Sequence, residues 1–248
     1  MKRIIGVIPA RWASTRFEGK VLAEIQGKPM LQHVWEQAQK SQLLKEVIIA
    51  CDDKRVFQIV QEFGAPVVMT STTHLSGTDR IAEVVKNIKT DIIVNIQGDE
   101  PLIDPQIIDA LAEALLKDES APMATVITKI RDEKEISDPN VVKVVIDNNK
   151  HAIYFSRAAI PFNRDKKSFS EAGYYKHLGL YAYTKDFLKI FVELPPSPLE
   201  QIEKLEQLRV LEAGYAIKTI ETDFETIGVD TPEDLKKVEA LLSKGAKK

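Results

Sequence analysis

The sequence predicts an α/β protein: a doubly wound, mostly parallel sheet followed by a smaller antiparallel or mixed β extension. Three observations carry this. Over the first hundred residues, short β-branched apolar runs alternate with amphipathic helical patterns, as in βαβ units whose sheet is covered on both faces. After about Met123, strand-like runs follow one another with a turn between them instead of a helix. With 248 residues, 44% of them hydrophobic and 29% charged, the chain is long enough to bury a sizeable core without a disulfide or metal staple.

In chain order, Arg3–Ile8, Glu46–Ala50, Pro66–Met69 and Ile92–Ile96 have the composition of parallel strands. Between them, apolar residues recur at three- and four-residue steps, predicting helices through Leu31, Val34 and Ala38, through Val56, Ile59, Val60 and Phe63 before Gly64, and through Ile81, Val84, Val85 and Ile88. Asp104-Pro105 is a cap and first-turn pair, opening a helix that buries Ile107, Ile108, Leu111 and Leu115. Met123–Ile130, Val141–Asp147, His151–Ser156 and His177–Thr184 are the strands of the extension, with Asp147–Lys150 as a hairpin turn. Ser197-Pro198-Leu199-Glu200 is a capping box opening a helix that runs to Gly214, and Thr231-Pro232 opens the last helix. The change of pattern puts a division near residues 122 and 123 within one compact globular unit. The basic run Lys244–Lys248 reads as a solvated end.

Lys and Arg total 34 against 37 Asp and Glu, a net charge of -3. No global basic surplus exists to drive nucleic-acid or anionic-membrane binding, so any anion site must be local. One cysteine, Cys51, permits no internal disulfide and suits a reducing compartment. The apolar run Ile4–Ala10 is too short to span a membrane and poor as a signal core. The expectation is a cytoplasmic protein with no membrane insertion.

In an open α/β sheet, ligands collect at the carboxyl ends of the strands. The first strand empties into Pro9-Ala10-Arg11-Trp12-Ala13-Ser14-Thr15-Arg16-Phe17-Glu18-Gly19-Lys20, which has neither a P-loop nor a dinucleotide fingerprint. Its small residues let amides approach a phosphate, and Arg11, Arg16 and Lys20 supply charge to a polyanion; the alternative is a solvated surface loop. The fourth strand ends in Gln97-Gly98-Asp99-Glu100-Pro101. There Asp99 suits Mg²⁺, which combines one or two carboxylates with substrate phosphates, or else it caps a helix, a task for which Asp104 is better placed. In Gly228-Val229-Asp230-Thr231-Pro232, Thr231 is the natural cap, which leaves Asp230 as a second candidate metal ligand. Ser76-Gly77-Thr78-Asp79-Arg80, after the third strand and His74, could pack a base or ribose; otherwise Thr78 is an N-cap and His74 a surface histidine.

On the helix after Ser197, Glu206 and Arg209 fall within the arc of Leu199, Ile202 and Leu205. They form either a buried ion pair or the wall of a polar pocket. His177, opening a strand, reads as structural on position alone. The four histidines lack zinc spacing, and no Ser-His-Asp or Cys-His motif is present, so hydrolase readings are poor.

Several runs resemble the 3-deoxy-manno-octulosonate cytidylyltransferase (CMP-KDO synthetase) family. They are Ile8-Pro9-Ala10-Arg11 with Ala13-Ser14-Thr15-Arg16 and Gly19-Lys20; Ser76–Arg80; Asn95–Pro101; Tyr154–Ala158; Lys176–Tyr181; Ser197–Glu200; Leu205–Arg209; and Gly228–Asp234. These span nearly the whole chain in order. Glu18 and Val21 depart from the family, which usually has prolines before the loop glycine and after the lysine.

The resemblance implies a nucleotide-diphospho-sugar transferase-like fold, with a nucleotide-binding part over 1–122 and the sugar-acid site and dimer interface completed by 123–248. It implies cytidylyl transfer from CTP to the sugar acid KDO for lipopolysaccharide synthesis, with Mg²⁺ on Asp99 and Asp230 and a homodimeric state. Pro9, Ala10, Arg11, Arg16, Lys20, Ser76, Gly77, Arg80 and Asp99 would then bind nucleotide. Arg11, Arg16, Lys20, Asp99 and Asp230 would act in catalysis, the three cations on the departing pyrophosphate. Gln97, Arg157, Arg164, His177, Tyr181, Glu206 and Gln207 would bind the sugar acid. A sialic-acid cytidylyltransferase is the nearest rival. A glycosyltransferase of similar fold would show an Asp-x-Asp metal motif, which neither Asp52-Asp53 nor Gly98-Asp99-Glu100 supplies, and both carboxylates argue against a mere nucleotide sensor.

Overall fold

The computed structural model describes residues 2–13, 17–224 and 227–245. It divides into two compact units, Met1–Asp109 with Thr226–Lys248, and Ala110–Glu225. The sequence reading kept 123–248 together; in the structure the C-terminal segment belongs to the first unit, because Val229 and Val238 are wholly buried in one cluster with Ile25 and Met30.

In the first unit the strands Ile4–Ala10, Val47–Cys51, Val67–Met69 and Ile92–Asn95 lie within one or two residues of their expected places. All pair in parallel, in the spatial order Ile92–Asn95, Ile4–Ala10, Val47–Cys51, Val67–Met69. Consecutive residues of the inner strands, such as Ile48 to Cys51 and Ile92 to Val94, are buried, so both sheet faces are covered and an unbroken apolar run is the stable pattern. The chain builds outward from the first strand, then returns to its opposite side. That reversal creates a switch point between the carboxyl ends of Ile4–Ala10 and Ile92–Asn95.

The helices Met30–Ala38, Lys54–Glu62, Gly77–Val85 and Pro105–Lys117 follow the apolar periodicity. Two caps work as expected: Asp104 accepts the Gln106 N–H at 2.9 Å, and the Thr231 hydroxyl accepts the Asp234 N–H at 3.3 Å before Pro232–Gly245. A third differs. Ser76, not Thr78, caps Gly77–Val85, in a reciprocal box with Asp79. A two-residue hairpin, Glu24–Ile25 with Lys28–Pro29, was not anticipated.

In the second unit the sheet order is Ile217–Glu221, Met123–Lys129, Tyr175–Thr184, Lys143–Ile146, Ala152–Ser156; the first pair is parallel and the others antiparallel. This is the mixed extension, with its hairpin at Asp147–Lys150, where Lys150 adopts φ 64°. The strand Ile217–Glu221 and the helix Lys185–Glu193 are additions. That helix follows Thr184 directly, with no side-chain cap bond to announce it.

The single helix expected from Ser197 to Gly214 is two, Pro198–Glu203 and Gln207–Glu212, separated by Lys204 at φ 55°. The break rotates the faces, so Ile202 is 78% exposed and the apolar arc does not exist. Arg209 instead pairs bidentately with Glu200, at 2.7 and 2.5 Å.

One buried cation fixes the hairpin's environment. Lys143, fully buried, donates to the carbonyls of Asp138, Val141 and Arg157 at 2.8, 2.6 and 2.7 Å. Removing the ammonium leaves three carbonyl acceptors without their donor. Lys143→Met should therefore destabilise the protein by about 2–4 kcal/mol in urea unfolding, whereas Ile202→Ser should change the midpoint little.

Candidate active site

The switch point gathers the predicted acidic and basic loops. Lys20 opens a 3-10 turn, Lys20–Leu22, after Gly19. Its ammonium donates to Asp99 Oδ2 at 2.6 Å, Asp230 Oδ1 at 3.0 Å and the Val229 carbonyl at 3.3 Å. The Val229 N–H in turn donates to the Asp99 carbonyl at 2.9 Å. Burial works against the charged Lys20, but the charges and hydrogen bonds of Asp99 and Asp230 outweigh it and raise its pKa. Asp99 and Asp230, 131 positions apart in the chain, thus meet on one cation. Position 98 is tight, since a Cβ there would stand 3.0 Å from the Pro9 carbonyl oxygen and force the backbone to give way.

Pro9 and Ala10 end the first strand, and Gly77 packs on the Pro9 ring. Arg11 is half-buried and, among the described residues, has no hydrogen bond or ion pair, leaving its guanidinium available to an anion. Arg16 lies outside the described residues. Arg80 was expected to face nucleotide, but its side chain is fully buried. It donates to Asp52 Oδ2 at 2.8 Å and to the Ser71 carbonyl at 3.3 Å, and contacts the Thr70 hydroxyl. Ser76 is likewise engaged by its own cap. Asp52, which holds both Arg80 and the Trp12 N–H, is signalled in the sequence only as an acid at the end of the second strand.

The donor set of Asp99 and Asp230 is two hard carboxylates converging from separate loops, the chemistry a divalent cation such as Mg²⁺ requires when phosphates supply further oxygens. Among the described residues no three His, Cys, Asp or Glu side chains form a self-sufficient metal cluster.

In the second unit, His177, Tyr181 and Gln207 come together. His177 is the third residue of its strand. In a regular strand, residues 177 and 181 would lie about 13 Å apart, but a bulge at Gly179–Leu180 brings the two rings to 5.4 Å. Gly179 inside a strand pattern was the available signal. The Tyr181 hydroxyl donates to Gln207 Oε1 at 3.3 Å, and burial raises its pKa well above the ordinary value, with Tyr183 and Glu206 adding to the effect. Gln207 is buried, with no acceptor for Nε2.

Thr125 Oγ1 donates to the Leu180 carbonyl at 2.8 Å and stands 2.9 Å from His177 Nε2. A hydroxyl has one proton, so His177 Nε2 carries its own and Nδ1 is an acceptor. Desolvation against Phe155 and Tyr181 lowers its pKa to about 3, keeping the ring neutral. Arg157 is tied down by its side chain, donating to the carbonyls of Glu203 and Pro139 at 2.7 and 2.8 Å. Arg164 is exposed. Gln97 stands in the Asp99 loop of the first unit, half-buried.

Cations and paired carboxylates at the switch point of a parallel sheet define the nucleotidyltransferase class of α/β enzyme. A family model described as cytidylyltransferase matches residues 5–224. The 3-deoxy-manno-octulosonate cytidylyltransferases of Solibacter usitatus and Geotalea daltonii are 55% and 53% identical, covering 97% and 98% of this chain and 94% and 100% of theirs. A solved CMP:2-keto-3-deoxy-manno-octonic acid synthetase complexed with CTP superposes with a TM-score of 0.93 at 45% identity, over 98% of this chain and 99% of that one. The chain belongs to the 3-deoxy-manno-octulosonate cytidylyltransferase family.

Beside Asp99, Glu100 is buried with Oε2 unpaired, and burial together with the Asp99 charge raises its pKa from 4.5 to about 8. The folded state therefore holds a proton that the unfolded state releases above pH 4.5. Stability linked to this group is intact below 4.5 and declines as pH rises, until the loss is complete above about 8. Glu100→Gln should match wild type near pH 5 and be more stable by a few kcal/mol at pH 9 in urea titrations.

Proposed function

We propose that this protein transfers the cytidylyl group of CTP to KDO, releasing CMP-KDO and pyrophosphate. The observation that carries the reading is the Lys20 ammonium shared by Asp99 and Asp230 at the switch point. Family membership supplies the substrates.

The KDO anomeric oxygen attacks the α-phosphorus in line. The bond from the α-phosphorus to the bridging oxygen breaks, pyrophosphate leaves with that oxygen, the hydroxyl proton passes to solvent water, and no covalent enzyme intermediate is needed. Lys20 and Arg11, with Arg16, neutralise the departing pyrophosphate. Pro9, Ala10 and Gly77 line the nucleotide's path with close-packed backbone. Arg80 and Ser76 support that surface from behind through Asp52 and Asp79. Mg²⁺ held by Asp99 and Asp230 would balance the triphosphate charge and lower the pKa of the attacking hydroxyl.

For the sugar acid, neutral His177 accepts a hydrogen bond from a hydroxyl at Nδ1, and Gln207 Nε2 and the Tyr181 hydroxyl offer further polar contacts. Glu206 adds to this hydroxyl-binding set within the second unit. Arg164 is the cation free to meet the carboxylate, and Arg157 acts by holding the Glu203 segment. The working protein is a homodimer, consistent with apolar Ile153 and Phe162 standing 59% and 87% exposed on the second unit. No helix is long and apolar enough to cross a membrane among the described residues, in keeping with a cytoplasmic site of action.

Pyrophosphate release should require CTP, KDO and Mg²⁺ together. Release with another sugar acid but not with KDO overturns the substrate assignment. Asp99→Asn and Asp230→Asn should each lower kcat by ~10²-fold or more with unchanged circular dichroism; near-normal turnover in either variant would remove its assigned metal role.

A further inference from the structure

Trp12 holds together the two ends of the cation loop. Its carbonyl accepts the Gly19 N–H at 3.0 Å, and its indole N–H donates to Glu18 Oε1 at 2.9 Å. Gly19 lies against the indole so closely that a Cβ would stand 2.7 Å from the ring, and its φ of 67° is one that side chains rarely adopt. The Arg55 guanidinium stacks on the indole at 3.5 Å from the ring centroid, held there by Asp53 at 2.8 and 2.7 Å. The Trp12 backbone is anchored too: its N–H donates to Asp52 Oδ1 at 3.0 Å, while Asp52 Oδ2 binds the buried Arg80. Three groups, Glu18, Gly19 and Arg55, thus converge on the indole while Asp52 holds the backbone, and the residue after Gly19 is Lys20, whose turn begins there.

We propose that Trp12 is a positioning residue: by locking Gly19 it fixes the starting point of the Lys20 turn and so delivers the ammonium to Asp99 and Asp230. This deepens the functional reading above and rests on it only for the kinetic consequence. Trp12 touches no substrate in this scheme. Its effect on the reaction passes through Lys20.

Two measurements test this. In the first, independent of any substrate, lysine labelling by an N-hydroxysuccinimide ester is followed by mass spectrometry. Trp12→Ala should raise the Lys20 labelling rate several-fold, with control lysines such as Lys28 and Lys117 and the circular dichroism spectrum unchanged. Glu18→Ala should raise it less, and Glu18→Gln, which keeps an acceptor for the indole, least. In the second, a double-mutant cycle on CTP and KDO turnover, Trp12→Ala should lower kcat/KM for CTP by about tenfold in the wild-type background and have little further effect once Lys20 is methionine.

Unchanged Lys20 labelling in a folded Trp12→Ala protein, or an equal Trp12→Ala loss with and without Lys20, overturns the proposal. Absence of wild-type turnover with CTP and KDO overturns the functional reading alone, because labelling still decides the role of Trp12.

Discussion

The structure of the site depends on one shared cation. Lys20, Asp99 and Asp230 come from three loops of the first unit, and each carboxylate alone would be a like charge crowded near the other. The ammonium makes their approach favourable, and the Val229 to Asp99 backbone bond holds the two acidic loops in register. Lysine neutralises both carboxylates and ties the acidic loops to the turn that carries it.

The charges around this triad are sorted by burial. Glu100, in the adjacent position, keeps its proton near neutrality and so adds no second negative charge beside Asp99. Arg80 is sealed against Asp52, so its charge is spent within the protein, whereas Arg11 has no such partner among the described residues. Two arginines that look equivalent on paper therefore stand in opposite environments: one is fully buried against a carboxylate, and the other is only half-buried. A similar division separates Arg157 from Arg164 in the second unit.

The fold was legible where local periodicity and tertiary packing agree. The four parallel strands and their helices carry apolar patterns set by covering both sheet faces, and Asp104 and Thr231 sit in caps visible from residue type. Lys20, Asp99 and Asp230 were each visible as strand-end or loop residues without another task, but not their meeting, since no local spacing encodes contacts across 79 and 210 residues. Three features were hidden for a physical reason. The break at Lys204 depends on a left-handed residue that is not glycine, Arg80 looks like a surface charge until Asp52 is placed beside it, and the bulge that joins His177 to Tyr181 has only Gly179 to announce it.

The place of Asp230 in the chain also affects when the enzyme comes into being. Lys20 is made early and waits for a partner 210 residues later, while the helix that follows Asp230 seals Ile25 and Met30 into the core. At 5–20 residues per second, roughly 10–40 s of synthesis separates the two. Through that interval the nascent chain has the cationic loop but only half of its acidic counterpart, with an apolar patch still uncovered. The Lys20 charge cluster and the burial of Ile25 and Met30 are therefore completed by the same last stretch of the chain.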